Sequence, residues 1–214
     1  MADMGHYSLW SVFEALKLER PTIIEPCLSH VCGLKDDGSA FKIINDYSFP
    51  FACSVRFKYP RAGDRPAVDL VWHDGGMRPP VPKEFYDSNT EFPPEGMMLK
   101  GDKGIIMAGF RLENPYILSG EKAEPMAAPP AATGAVVRVP PAQRFIEGVR
   151  KKEQIAGSFR QAWPITEAVN LYAAALRANK TLHYDADLMR VTNDAKADAY
   201  LDRACRAGWE LENI

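Results

Sequence analysis

The sequence predicts an α+β domain: an open-faced, mostly antiparallel or mixed sheet with helices packed on one face. Three observations predict it. Strand-like runs crowd the first half of the 214-residue chain and helix-like runs the second, an order that points to α+β architecture. The run Cys53–Tyr59 alternates, with Val55, Phe57 and Tyr59 on one side and Ser54, Arg56 and Lys58 on the other, as a strand with one buried face must. No Gly-x-Gly-x-x-Gly or Gly-x4-Gly-Lys-Ser/Thr run opens a strand–turn–helix unit, so a nucleotide-binding doubly wound sheet is not indicated.

The elements follow in order. A first helix runs from Asp3, a capping residue, to about Leu18, with Leu9, Trp10, Val12, Phe13 and Leu16 at helical spacing. Pro21 ends it. Strands are expected at Thr22–Leu28, Phe41–Phe49, Cys53–Tyr59 and Ala67–Trp72, with turns at Asp36-Asp37-Gly38-Ser39 and Pro60–Arg65. Asp74 to Pro94 is rich in Gly and Pro and reads as an irregular excursion. Met97–Phe110 reads as a hairpin around Gly101-Asp102-Lys103-Gly104. Ser119–Pro141 holds five prolines among small residues and reads as a long flexible loop. Ala142–Lys152 is a helix with Phe145, Ile146 and Val149 inward. Pro164 opens another, Ile165–Ala178, and Thr181–Tyr184 is a short strand. Asn193 caps a last helix ending near Ala207. Residues 1–214 thus read as a single domain, long enough to bury about 70% of its extended surface.

Composition removes several function classes. The net charge is −2, without the basic excess that nucleic-acid binding requires. No apolar run approaches the roughly 18 residues of a membrane span. Met1–His6 has neither a basic nor an apolar leader segment. The reading is a cytoplasmic protein with no nucleic-acid or membrane partner. The four cysteines, Cys27, Cys32, Cys53 and Cys205, read as reduced thiols. Cys27, His30 and Cys32 are one ligand short of a structural zinc site, so no metal is expected. No serine stands in a nucleophile elbow.

Five segments occur in one order: Asp3-Met4-Gly5-His6, Val71-Trp72-His73-Asp74-Gly75-Gly76-Met77-Arg78-Pro79-Pro80, Leu99-Lys100-Gly101-Asp102-Lys103-Gly104, Pro164-Ile165-Thr166-Glu167-Ala168-Val169 and Gly208-Trp209-Glu210-Leu211. Together the chain resembles the C-terminal domain of the Gfo/Idh/MocA oxidoreductases. The resemblance implies a sheet that holds a sugar-like small molecule on one side and meets another subunit on the other. It also implies NAD(P) bound by a Rossmann domain that these residues do not contain, on a possible partner chain. The chain alone is expected to bind no cofactor. In the family the first helix reads Asp-x-Gly-x-His-x-x-Asp. Aligned on Asp3 and Gly5, this sequence has Tyr7 at the His position and Trp10 at the Asp position, with His6 one residue early.

The catalytic candidates are therefore His6 and Tyr7, both able to move protons beside a helix N-terminus. Asp3, Trp10, Trp72, His73 and Asp74 are the substrate-binding candidates. The last three stand at a strand end before a Gly-Gly loop, where site residues concentrate. Three functions fit: the substrate-binding and assembly domain of an NAD(P)-dependent sugar or polyol oxidoreductase, a non-catalytic scaffold subunit, and a cofactor-independent sugar lyase or hydratase. A homo-oligomer formed through the sheet face is expected, because Ile43, Tyr47, Val55, Phe57 and Tyr59 exceed what three helices can cover.

Overall fold

A computed structural model describes residues 1–45, 47–87, 91–119, 122–125 and 139–210. The main sheet has five strands in the order β11-β10-β1-β4-β5, every adjacent pair antiparallel. They are β1 (Ile23–Leu28), β4 (Cys53–Tyr59), β5 (Val68–Asp74), β10 (Leu182–Asp185) and β11 (Arg190–Val191). Two helices, α1 (Gly5–Leu16) and α4 (Phe159–Ala178), cover one face. The main core lies between these layers. Ile24, Val55, Phe57, Leu171 and Leu182 are fully buried in it, and Leu70 and Trp72 pack against its edge.

The opposite face of this sheet is mainly polar. By register it carries Ile23, Glu25, Cys27, Ser54, Arg56, Lys58, Asp69, Val71 and His73. Glu25 bridges Arg56 at 3.6 Å and Lys58 at 3.5 Å. Of the five residues on which the expected sheet-face oligomer rests, Val55, Phe57 and Tyr59 are buried under α1 and α4, whereas Ile43 and Tyr47 are exposed outside this sheet. The two helices are large enough to cover the Val55–Tyr59 face.

A second sheet is a four-stranded meander: β6 (Met97–Gly101), β7 (Gly104–Ala108), β8 (Tyr116–Ser119) and β9 (Lys122–Pro125). It has its own small core, in which Phe85 of the short helix α2 (Lys83–Asp87) meets Met107 and Leu118. The expected irregular excursion thus contains a helical turn that plugs this sheet. The loop expected over Ser119–Pro141 begins as the β8–β9 hairpin, and Pro141 opens α3 (Pro141–Lys151). Residues 126–138 lie outside the described residues.

Other expectations are corrected by local chemistry. Asp3 does not cap α1; Met4 holds the cap position without a side-chain hydrogen bond. The strand expected at Phe41–Phe49 stops at Ile43, because the Asn45 carboxamide oxygen accepts from the Tyr47 and Ser48 N–H groups and turns the chain. Its partner, β2 (Val31–Leu34), was not anticipated; with β3 (Ala40–Ile43) it forms a separate hairpin. Pro164 does not open a helix: α4 starts five residues earlier, after extended Ser158. The final helix, α5 (Ala195–Asp198), is a single turn capped by Asp194 rather than Asn193, whose side chain instead bridges to His183 N–H and Thr181 C=O. Phe145, Ile146 and Val149 of α3 point outward, not inward.

Candidate functional site

Antiparallel pairing sets Cys53, the first residue of β4, opposite Asp74, the last of β5. Asp74 ends its strand at a turn that only glycine permits. Gly75 has φ +65°, and a Cβ there would lie 2.0 Å from the Phe51 carbonyl oxygen. The Asp74 carboxylate accepts three hydrogen bonds: from the Gly75 N–H at 2.8 Å, from the Trp72 indole at 3.2 Å and from the Met1 amino group at 2.9 Å. Burial works to raise its pKa, but these donors outweigh it and hold the carboxyl below its ordinary range. It stays ionised at neutral pH.

Tyr172 of α4 reaches the same corner. Its hydroxyl lies 3.1 Å from Cys53 Sγ, and its ring stacks on Phe49 at 6.1 Å between centroids. Burial first, then Cys53 and the Asp74 charge, push this phenol well above its usual pKa. Burial also raises the Cys53 thiol, against the hydrogen bond from Tyr172 and with the Asp74 charge. Of these groups only the Asp74 carboxylate and the Phe49 ring are open to solvent; the Tyr172 hydroxyl is 3% exposed and engaged with Cys53 behind them. An exposed, ionised carboxylate beside an aromatic ring suits a neutral ligand that carries hydroxyl donors.

The predicted residues are divided. Trp72 and Asp74 meet at this corner, with Trp72 orienting the carboxylate. His73 faces the other side of the sheet, where its Nδ1 lies 2.7 Å from Ser54 Oγ and burial lowers its pKa. Alternation along one strand forces that separation. His6 and Trp10 are half-buried and share one flank of α1, four residues apart. The first turn of α1 is tied to the corner through Met1, whose carbonyl accepts from Gly5 N–H and whose amino group meets Asp74. Tyr7 points away from the core, with the Arg111 guanidinium 5.6 Å from its ring centroid. Asp3 is exposed and makes no hydrogen bond among the described residues. Among them, too, no group of three His, Cys, Asp or Glu could hold a metal.

Sequence reading missed Tyr172, Cys53 and Phe49. Tyr172 sits in an apolar helical run where a tyrosine signals packing, and its contact with Cys53 spans 119 positions. No local pattern reports such a pair.

The fold, with helices on one side of an antiparallel sheet, is α+β. The chain belongs to the Gfo/Idh/MocA oxidoreductase family: the family model described as "Oxidoreductase family, C-terminal alpha/beta domain" matches residues 88–211, more than half of the chain. The match includes Tyr172 but not Cys53, Trp72 or Asp74. No curated protein matches the chain. None of the described helices is long and apolar enough to cross a membrane.

Proposed function

We propose that this chain is the substrate-binding and assembly half of an NAD(P)-dependent oxidoreductase acting on a sugar or polyol. One observation carries the proposal: an Asp74 carboxylate held ionised by three donors, beside the neutral Tyr172 hydroxyl and the Phe49 ring. Asp74 accepts hydrogen bonds from substrate hydroxyls, Trp72 positions Asp74, and the buried Tyr172 hydroxyl, held on Cys53, backs the corner from the core. His6 and Tyr7, on the first turn of α1, are the proton-handling candidates of this reading, His6 beside Trp10 on one flank of the helix and Tyr7 on its outward side, with Asp3 exposed just before it.

The residues present do not fit the dinucleotide. Its pyrophosphate needs a Gly-rich strand-to-helix turn. The one Gly-x-x-Gly run of that general appearance, Gly101 to Gly104, is the β6–β7 hairpin turn. NAD(P) therefore belongs to a Rossmann partner. Calorimetric titration of this chain with NAD+ and NADP+ is expected to give no micromolar binding; a micromolar constant overturns that division of labour.

Saturation-transfer NMR with glucose, xylose, glucitol and inositol tests the substrate reading. At least one is expected to receive saturation from the chain. Asp74→Asn should weaken its binding about tenfold, the worth of one hydrogen bond to a charged group, and Tyr172→Phe by a smaller factor. Binding by none of the four, or binding indifferent to both variants, defeats the reading.

A further inference from the structure

Along α3, Phe145, Gly148, Val149 and Lys152 recur at helical spacing and share one face. Of the four only Gly148 is buried. The chain crosses itself there, and a Cβ on Gly148 would overlap the Ile155 side chain. Lys152, in the left-handed conformation, ends α3 and turns the chain back toward α4. Between the two helices lies a cleft of about 540 Å³ walled by Phe145, Val149, Ile155 and Phe159, a volume typical of small-molecule sites. Phe159 is 95% exposed at the first position of α4, a large ring held in water.

The charges on the rim are uneven. Lys152 and Arg160 line the cleft, with Glu153 as the acid among its lining residues. Arg20, Arg56, Lys58, Lys180 and Arg190 all have a carboxylate partner; among the described residues Lys152 and Arg160 have none. α4 also opens on this cleft without a side-chain cap from Ser158, and the N–H groups of a helix start favour negative charge. We infer that the α3–α4 cleft binds a small amphipathic anion, its apolar body against Phe145, Val149 and Phe159 and its carboxylate on Lys152 and Arg160. Apolar walls alone would take any oily molecule. Two unpaired cations at one rim select a negative head, and the Arg160 guanidinium matches a carboxylate in shape as well as charge. The site is separate from the Asp74 corner, because α4 rises about 20 Å from Phe159 to Tyr172. The inference therefore does not depend on what that corner binds.

Calorimetric titration of the whole chain with decanoate tests it, with decan-1-ol as the neutral counterpart. Decanoate is expected to bind with a dissociation constant below about 1 mM, and decan-1-ol at least about tenfold more weakly. Arg160→Ala and Phe159→Ala should each weaken decanoate about tenfold, whereas Asp74→Asn should leave it unchanged. In amide NMR spectra decanoate should shift Gly148 and Gly157, which line the cleft. Decan-1-ol binding as tightly as decanoate, or decanoate binding that ignores both cleft variants, overturns the inference. So does loss of binding in Asp74→Asn alone. Association with phosphatidylglycerol vesicles but not with monomeric decanoate overturns it too, since the patch then meets a lipid surface instead of a free anion.

Discussion

Gly75→Ala is expected to destabilise the fold by about 3 kcal/mol. The left-handed conformation alone costs a residue with a Cβ about 1–2 kcal/mol. The new Cβ would also stand 2.0 Å from the Phe51 carbonyl oxygen and 2.6 Å from Ala52 Cα, so backbone has to move. For a domain of this size, about 3 kcal/mol lowers Tm by roughly 6–12 °C. The damage is directional, because residues 51 and 52 lead into β4 and close the base of the β2–β3 hairpin. A thermal scan checks the stability. Gly76→Ala is a useful comparison: its φ is +85°, but nothing lies within 4 Å of its Cβ position, so it should show the conformational cost alone. Equal losses in the two variants show that the Phe51 overlap contributes nothing.

Glu167 should make the fold lose stability as pH rises above the ordinary glutamate range. It is 4% exposed on α4, where its Oε1 accepts from the Tyr184 hydroxyl at 2.8 Å. Its Oε2 and the nearby Tyr59 hydroxyl are buried and pair with no protein atom. Burial raises the Glu167 pKa, against the Tyr184 hydrogen bond and the Arg20 charge. The folded state thus holds this proton more tightly than the unfolded chain. The stabilisation is fully present below the ordinary glutamate value of about 4.3 and is lost as pH rises through the folded pKa. Glu167→Gln keeps an acceptor for Tyr184 and cannot ionise, so its stability should fall less with pH and exceed the wild type once pH passes the folded pKa of Glu167. Glu167→Ala leaves the Tyr184 hydroxyl unpaired and should cost about 1–3 kcal/mol. Urea titrations between pH 5 and 9 separate the two. A Gln variant with the wild-type slope shows that Glu167 does not titrate in this window.

Much of the fold was legible because its signals are local. The Cys53–Tyr59 strand has its observed bounds because seven residues alternate without a break. The 101–104 turn follows from paired glycines between apolar runs. Pro164 misled, because proline is favoured at a helix start but is also tolerated inside α4. The α3 stripe of Phe145, Ile146 and Val149 has the periodicity of a buried face, yet periodicity says which residues share a side and not what covers it. The candidate site was half legible. Trp72 and Asp74 were visible as a strand end before a Gly-Gly turn. Tyr172 and Cys53 were not, because only the packing of α4 across the sheet brings them together.

The strand order has a consequence for synthesis. β1 is the third strand of the main sheet, paired on one side with β4 and on the other with β10. Its first neighbour leaves the ribosome soon after it, but Leu182, which pairs with Ile24, follows after more than 150 further residues. At about 5–20 residues per second, that is a delay on the order of ten seconds. Throughout it, one edge of β1 is a bare row of N–H and C=O groups, and α4, which roofs the strand, is not yet made. A nascent chain in this state is a template for pairing with its neighbours on the same messenger. The half-buried proline at the fourth position of β1, Pro26, lacks the N–H that such pairing would use, and Glu25 and Lys58 set charges beside it.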